Sequence, residues 1–507
     1  MPSRYLASLI DYPAWAGPRY RRMDMLQRYL DGTIYDVLPH SFYEEVSSGN
    51  VYIPLRERRP SVVYNLARVV VSRSVSLLFG GKHWPKFHCT EKGVTDFLTE
   101  IDNISGLQAA MIEAATLGSL GSVAVCFQII DGKFYYEVWN SKYCQPIFNK
   151  TRDLEDLFVL EPTMGYNLKA IGYTIDDDDL NILYFFAKRY TTAEEILYHP
   201  IKCEEYESES DLVKDTERST THSLGFVPGV WVKNFPSTNG IDSDCTFEPI
   251  IDLSIEIDYQ LSQCGRGLKY ASDPQLVIKE PFGAPSAGMN GYSEPIVRSA
   301  NNALSVGKDG DAKLLEITGQ GQKTVLEYVK LLRQWGLEVV RASRKDPEHS
   351  YGNMSGRAME ILDEDLISLA ALGRVSYGEI GLKQLVCKML QASAQLDLIS
   401  DDPTDNSSFA LRLQWGNWFD PTPTDLVQTE TALDLGVKGR RLFESEARMI
   451  SASSWNVGHA EPEKLEEEWP IPPEPQIVKD EKEMKTLAPP KPKGTGGDDG
   501  RDAKVQG

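Results

Sequence analysis

Two stretches carry residue types that could do chemistry. Asp176, Asp177, Asp178 and Asp179 stand in a row, and adjacent carboxylates can hold Mg2+ or Ca2+. A hard cation wants oxygens converging from alternate positions around a tight turn, whereas four consecutive aspartates in a surface turn are ordinarily solvated. The second stretch is Lys82–Cys89, where His83, His88 and Cys89 are possible zinc ligands. No fourth ligand stands at zinc-site spacing, so the segment reads as a strand or turn after a helix. There is no GxxxxGKS/T phosphate loop, no GxSxG elbow and no HExxH pair. Gly319, Gln320 and Gly321 lack the strand–helix setting of a dinucleotide loop. The seven histidines form no acid–base constellation. These residues thus argue for no catalytic, metal or cofactor site. The enzymatic alternative is a metal-dependent nuclease or transferase using Asp176–Asp179. Arg56, Arg58 and Arg59 make a small basic cluster that reads as a solvated loop before Pro60.

The elements that would position such groups can be read from hydrophobic spacing. Ile250, Leu253, Ile257, Leu261, Cys264 and Leu268 recur every three or four residues and predict one helix. Val325, Tyr328, Val329, Leu332, Gly336 and Val339 predict a second over 322–343. Between them, 272–321 is rich in Pro and Gly with two short strand signals, which suggests a compact β-rich tip. A third pattern from Gly356 to Leu396 predicts a helix of roughly 60 Å, kinked near Gly373, Gly378 and Gly381. Upstream, 61–79 and 96–117 read as helices. Gly118–Ile130, with its apolar run from Ser122, and Lys133–Trp139 read as a hairpin about Asp131 and Gly132. Further strand patterns follow through 143–160, 180–198 and 225–235. Helices beside antiparallel strands give an α+β class.

The 507 residues exceed what one core usually supports. Asp plus Glu number 74 against 53 Lys plus Arg, a net charge of -21, which repels nucleic acid and anionic membranes. The charge argues against wrapping DNA but not against a surface past which DNA slides. Seven scattered cysteines without CxxC spacing read as reduced thiols. No apolar run is long enough to span a membrane, and the first residues lack a signal-peptide core; a soluble cytoplasmic product is the expectation. From Glu461 to Gly507 the composition turns to Pro, Lys, Glu, Asp and Gly, the mark of a disordered tail.

Several short motifs, in this order and spacing, resemble the portal (head–tail connector) proteins of tailed bacteriophages. They are Asn65–Val71, Leu77–Gly81, Ala114–Ser119, Phe247–Gln260, Asp273–Ile278, Leu314–Ile317 and Met354–Ala358. The resemblance covers roughly residues 50 to 450. It implies a portal-type fold with an α/β wing over 1–246, stem helices over 247–271 and 322–343, and a β-rich clip over 272–321. A tunnel loop over 344–355, a spine helix and C-terminal wing over 356–423, a helical crown over 424–460 and the tail over 461–507 complete it. It further implies a ring, typically a dodecamer, at one capsid vertex of the virion, assembled in the host cytoplasm. Double-stranded DNA is packaged and ejected through such a ring. Its partners are terminase, major capsid and scaffold proteins, and later head-completion or adaptor proteins. Arg341, Arg344, Lys345, His349 and Asn353 would then face DNA near the tunnel loop, with Arg266, Lys269, Lys330 and Arg333 on the stem. Arg344 and Lys345 could equally serve the helix C-terminus through its dipole.

Overall fold

In the computed structural model the described residues are 2–89, 92–272, 275–281, 306–315, 320–342, 360–361, 363–396, 398–399, 411–419, 423–439, 442–443, 447 and 450–451. The expected tail, the interior of the expected clip, and Arg344, Lys345, His349 and Asn353 lie outside them. The chain forms two compact units, Met1–Asp425 and Leu426–Gly507. The fold is a mixed α+β one. Among the described residues every ladder between strands is antiparallel.

In the first unit Ser122–Ile130 is the middle strand of a three-stranded sheet, between Gly229–Lys233 and Lys133–Asn140. Its alternate side chains serve two cores, which is why it reads as an unbroken apolar run. Val123, Val125 and Phe127 join the main core with the helices, while Ala124 and Cys126 face a second core shared with Leu157, Val159 and Tyr190. Those three belong to a six-stranded sheet built on Leu154–Met164 and Leu183–Tyr190. A buried polar cluster joins the sheets. Lys188 Nζ reaches Glu137 Oε2 at 2.7 Å and Glu195 Oε1 at 2.5 Å, and Trp139 Nε1 donates to the Tyr190 hydroxyl at 2.9 Å. Burial works against the Lys188 ammonium, yet the two carboxylates hold its pKa above the usual lysine range.

Several elements differ from the pattern reading, each for a local reason. The helix expected over 61–79 is Leu66–Phe79, because Asn65 takes a left-handed conformation (φ 46°) and its side chain accepts from Arg68 N–H. The helix expected over 96–117 is two, Lys92–Ser105 and Leu107–Gly118, divided at Gly106 (φ 73°). Arg412–Gln414 forms a short strand that pairs with Lys86–His88. The kink expected in the third helix is instead a π-helical stretch, Arg374–Leu382, between the α-helices Glu364–Gly373 and Lys383–Gln395. There the Trp415 ring lies so close that a Cβ on Gly378 would meet it at 2.3 Å, and one on Gly381 would meet Val232 at 2.8 Å. The absent Cβ at these two glycines leaves room for neighbours that a side chain would exclude. None of the seven cysteines forms a disulfide. Among the described residues no helix is long and apolar enough to cross a membrane. In the second unit, Leu442 packs on Gly436 of the Pro423–Lys438 helix and Ser451 donates to Glu430.

Candidate assembly surface around the helix pair

The helix Ile251–Ser272 organises the site. Its polar side chains at one face tie down the first sixty-five residues. Asp252 accepts from Ser3 N–H at 2.9 Å, and Asp258 accepts from Tyr64 N–H and from the Tyr35 hydroxyl, both at 2.7 Å. The Tyr259 hydroxyl donates to Arg58 O at 2.9 Å, and Ser262 Oγ accepts from Val62 N–H at 3.0 Å. Residues 61–64 are therefore extended along this helix rather than part of the next one. Burial pushes the Asp258 carboxyl up to about 6, against the pull of its two donors.

A small hairpin sits on the same face. Val46 bridges Tyr52, Ile53 N–H donates to Glu45 O at 2.9 Å, and Asn50 turns the chain with φ 61°. Arg58 holds its base. The side chain is only 1% exposed, its Nε and Nη2 donate to Ile53 O at 3.0 and 2.8 Å, and its guanidinium lies 5.2 Å from the Tyr52 ring centre. The solvated basic loop expected at 56–59 is thus corrected at Arg58, which sits in the interior with backbone carbonyls as its acceptors. Arg266 pairs with Glu45, and Lys269 lies 5.0 Å from the Tyr43 ring, so both join this hairpin to the helix.

The second helix, Gln320–Val339, packs antiparallel on the other side. Cys264 Sγ comes within 3.8 Å of Gln322 O at one end. At the other end a Cβ on Gly336 would lie 2.9 Å from Leu66 Cδ2 and 3.0 Å from Leu253 Cδ2. At 100° per residue, Leu253, Cys264 and Gly267 face this partner, roughly half a turn from Tyr259, Ser262, Arg266 and Lys269. The first helix is therefore flanked by the hairpin and the second helix on opposite sides. The second helix ends in a Schellman motif. Arg341 N–H donates to Glu338 O at 3.1 Å and Ala342 N–H to Leu337 O at 2.8 Å, with Arg341 left-handed at φ 55°.

The structure does not gather the expected stem residues into one cluster. Arg266 and Lys269 face the hairpin, Lys330 is exposed, and the half-buried Arg333 has its guanidinium 5.9 Å from the Tyr64 ring. Arg341 is exposed at the helix end. Of the acidic run, Asp177 meets Lys169 at 2.5 Å, while Asp179 meets Lys202 at 2.8 Å and the Tyr184 hydroxyl at 3.2 Å. These contacts hold both carboxyls below the usual range. His83 is buried, 6.2 Å from Trp418. Among the described residues no group of three or more His, Cys, Asp or Glu side chains is placed to hold a metal ion.

Sequence reasoning missed the hairpin as a unit and Arg58 as its anchor. The signal was present: Ser47, Ser48, Gly49 and Asn50 between Val46 and Val51 is a turn flanked by strand formers. No family model matches this chain, and no curated protein matches it.

Proposed function

We propose that this chain is a portal (head–tail connector) subunit. It forms a ring, typically of twelve copies, at the unique vertex of a phage capsid, and double-stranded DNA is packaged and ejected through the ring. It has no catalysis of its own. It docks terminase during packaging, then head-completion and tail proteins, and it meets capsid and scaffold proteins in assembly. One observation carries the reading. An antiparallel pair of helices, Ile251–Ser272 and Gln320–Val339, brackets a two-stranded ladder of Gln275–Pro281 with Val306–Leu315, and a long helical run, Glu364–Gln395, follows beside an α+β body. In this reading the helix pair is the stem, the ladder belongs to the clip and the helical run is the spine. On the same reading Arg341, Arg344, Lys345, His349 and Asn353 are the residues that would face DNA near the tunnel loop. The net charge of -21 per subunit supports it further, since a conduit must hold phosphate weakly for DNA to move.

Native mass spectrometry with negative-stain images tests the proposal. The expected result is a closed ring of about twelve copies with a central hole. A compact monomer with metal-dependent turnover, lost on Asp177→Asn and Asp178→Asn, would overturn it.

A further inference from the structure

Two apolar patches of the first unit remain uncovered, and the chain cannot bring them together by itself. One is on the second helix, where Tyr328, Leu331, Trp335 and Val339 follow at steps of three, four and four. Trp335 is 48% and Val339 61% exposed. They share one face, about a quarter turn from Val329, Leu332 and Gly336, which pack inward. The other patch is the hairpin, with Tyr43, Val46, Val51 and Tyr52 outward; Val51 is 66% and Tyr52 65% exposed. The helix Ile251–Ser272 stands between hairpin and second helix, so the two patches do not meet within one chain.

The shapes and charges are complementary. The helix offers a ridge of large side chains ending in Trp335, and the hairpin a shallow surface of two valines and two tyrosines; Trp and Tyr are the side chains that most often anchor interfaces. Glu327 and Glu338 border the ridge, and at the base of the hairpin stand the exposed Arg56, 3.8 Å from Glu57, and Arg59, which donates to the Leu38 carbonyl. The hairpin's own Glu45 is already paired with Arg266, which lowers its opposition to the approach of Glu327 and Glu338. Two different patches on one subunit join copies head to tail, and head-to-tail contacts close into rings when the rotation allows.

We propose that the Tyr328–Val339 ridge of one copy docks on the hairpin of a second copy. This rests on the ring reading above and names the surfaces that would build it.

The test uses two full-length variants, Trp335→Glu and Tyr52→Glu, each read by sedimentation velocity and native mass spectrometry. Circular dichroism checks that each is folded. Val339→Glu and Val51→Glu form a second pair should either of the first fail to fold. The wild type is expected to form a closed multimer and each variant alone a single subunit. A one-to-one mixture should give a heterodimer that grows no further, because only one intact ridge and one intact hairpin remain. Self-association of Tyr52→Glu alone would overturn the proposal, since the ridge would then pair with something other than the hairpin. Rings from both variants would overturn it while leaving the portal reading intact. A wild-type chain that stays a single subunit at all concentrations would overturn it and take the ring from the portal reading as well.

Discussion

Arg341 holds a left-handed backbone at the place where a helix most often hands over to glycine. Its side chain is what the sequence offers as a DNA-facing charge, but its backbone gives a sharper expectation. Arg341→Gly removes the Cβ strain and should raise stability by roughly 0.5–1 kcal/mol, read as a higher denaturant midpoint at unchanged slope. Asp258 gives a pH dependence. Its carboxyl is raised by burial to about 6 in the folded chain, so its contribution is full below the ordinary carboxylate range and is lost as pH rises through 6. Asp258→Asn keeps an acceptor for Tyr64 N–H and removes that loss. Between pH 4.5 and 8 the variant should lose less stability than the wild type, by a margin on the order of 2 kcal/mol, in denaturant titrations at each pH. Equal losses would show Asp258 stays ionised throughout. Neither residue announces its role in sequence: a helical aspartate reads as solvent-facing until the segment 35–64 is known to lie over it.

At the scale of elements, spacing reveals helices and hides their joints. The helix patterns after Phe247 and Gln322 are legible because apolar residues recur at three and four, and the Asp131–Gly132 turn because its positive φ values of 52° and 74° demand those residue types. The pairing of Lys86–His88 with Arg412–Gln414 is not legible, since more than three hundred residues separate strands of three residues each. The glycines at 373, 378 and 381 signal irregularity but not its kind. What packs there is Trp415, which folds back on Gly378 from beyond the end of the helical run. Gly378→Ala places a Cβ against that ring. The clash, typically 1–3 kcal/mol for an overpacked site, should outweigh the gain of about 1 kcal/mol in helix propensity. A net loss in thermal stability, relieved when Trp415 is also cut back to Leu, is the expected outcome of that pair of variants.

For the molecule as a whole, charge makes the plainest expectation. With -21 on each chain, duplex DNA should bind more weakly than roughly 10^-4 M at about 0.15 M salt, outside the range of ordinary non-specific binders. A complex retained in a gel-shift experiment at that salt would contradict a sliding surface. The lashing of the first residues onto Ile251–Ser272 carries a consequence of another sort. Ser3 meets Asp252 across 249 positions and Val62 meets Ser262 across 200. At about 5–20 residues per second on the ribosome, the opening segment waits on the order of 10–50 s for its partner helix to be made. Through that interval Leu26, Leu30 and Leu38, all buried in the finished fold, lack the part of their core that Ile250, Ile251 and Ile255 supply. Slower translation between the two segments should therefore raise the share of newborn chains that aggregate before the helix emerges.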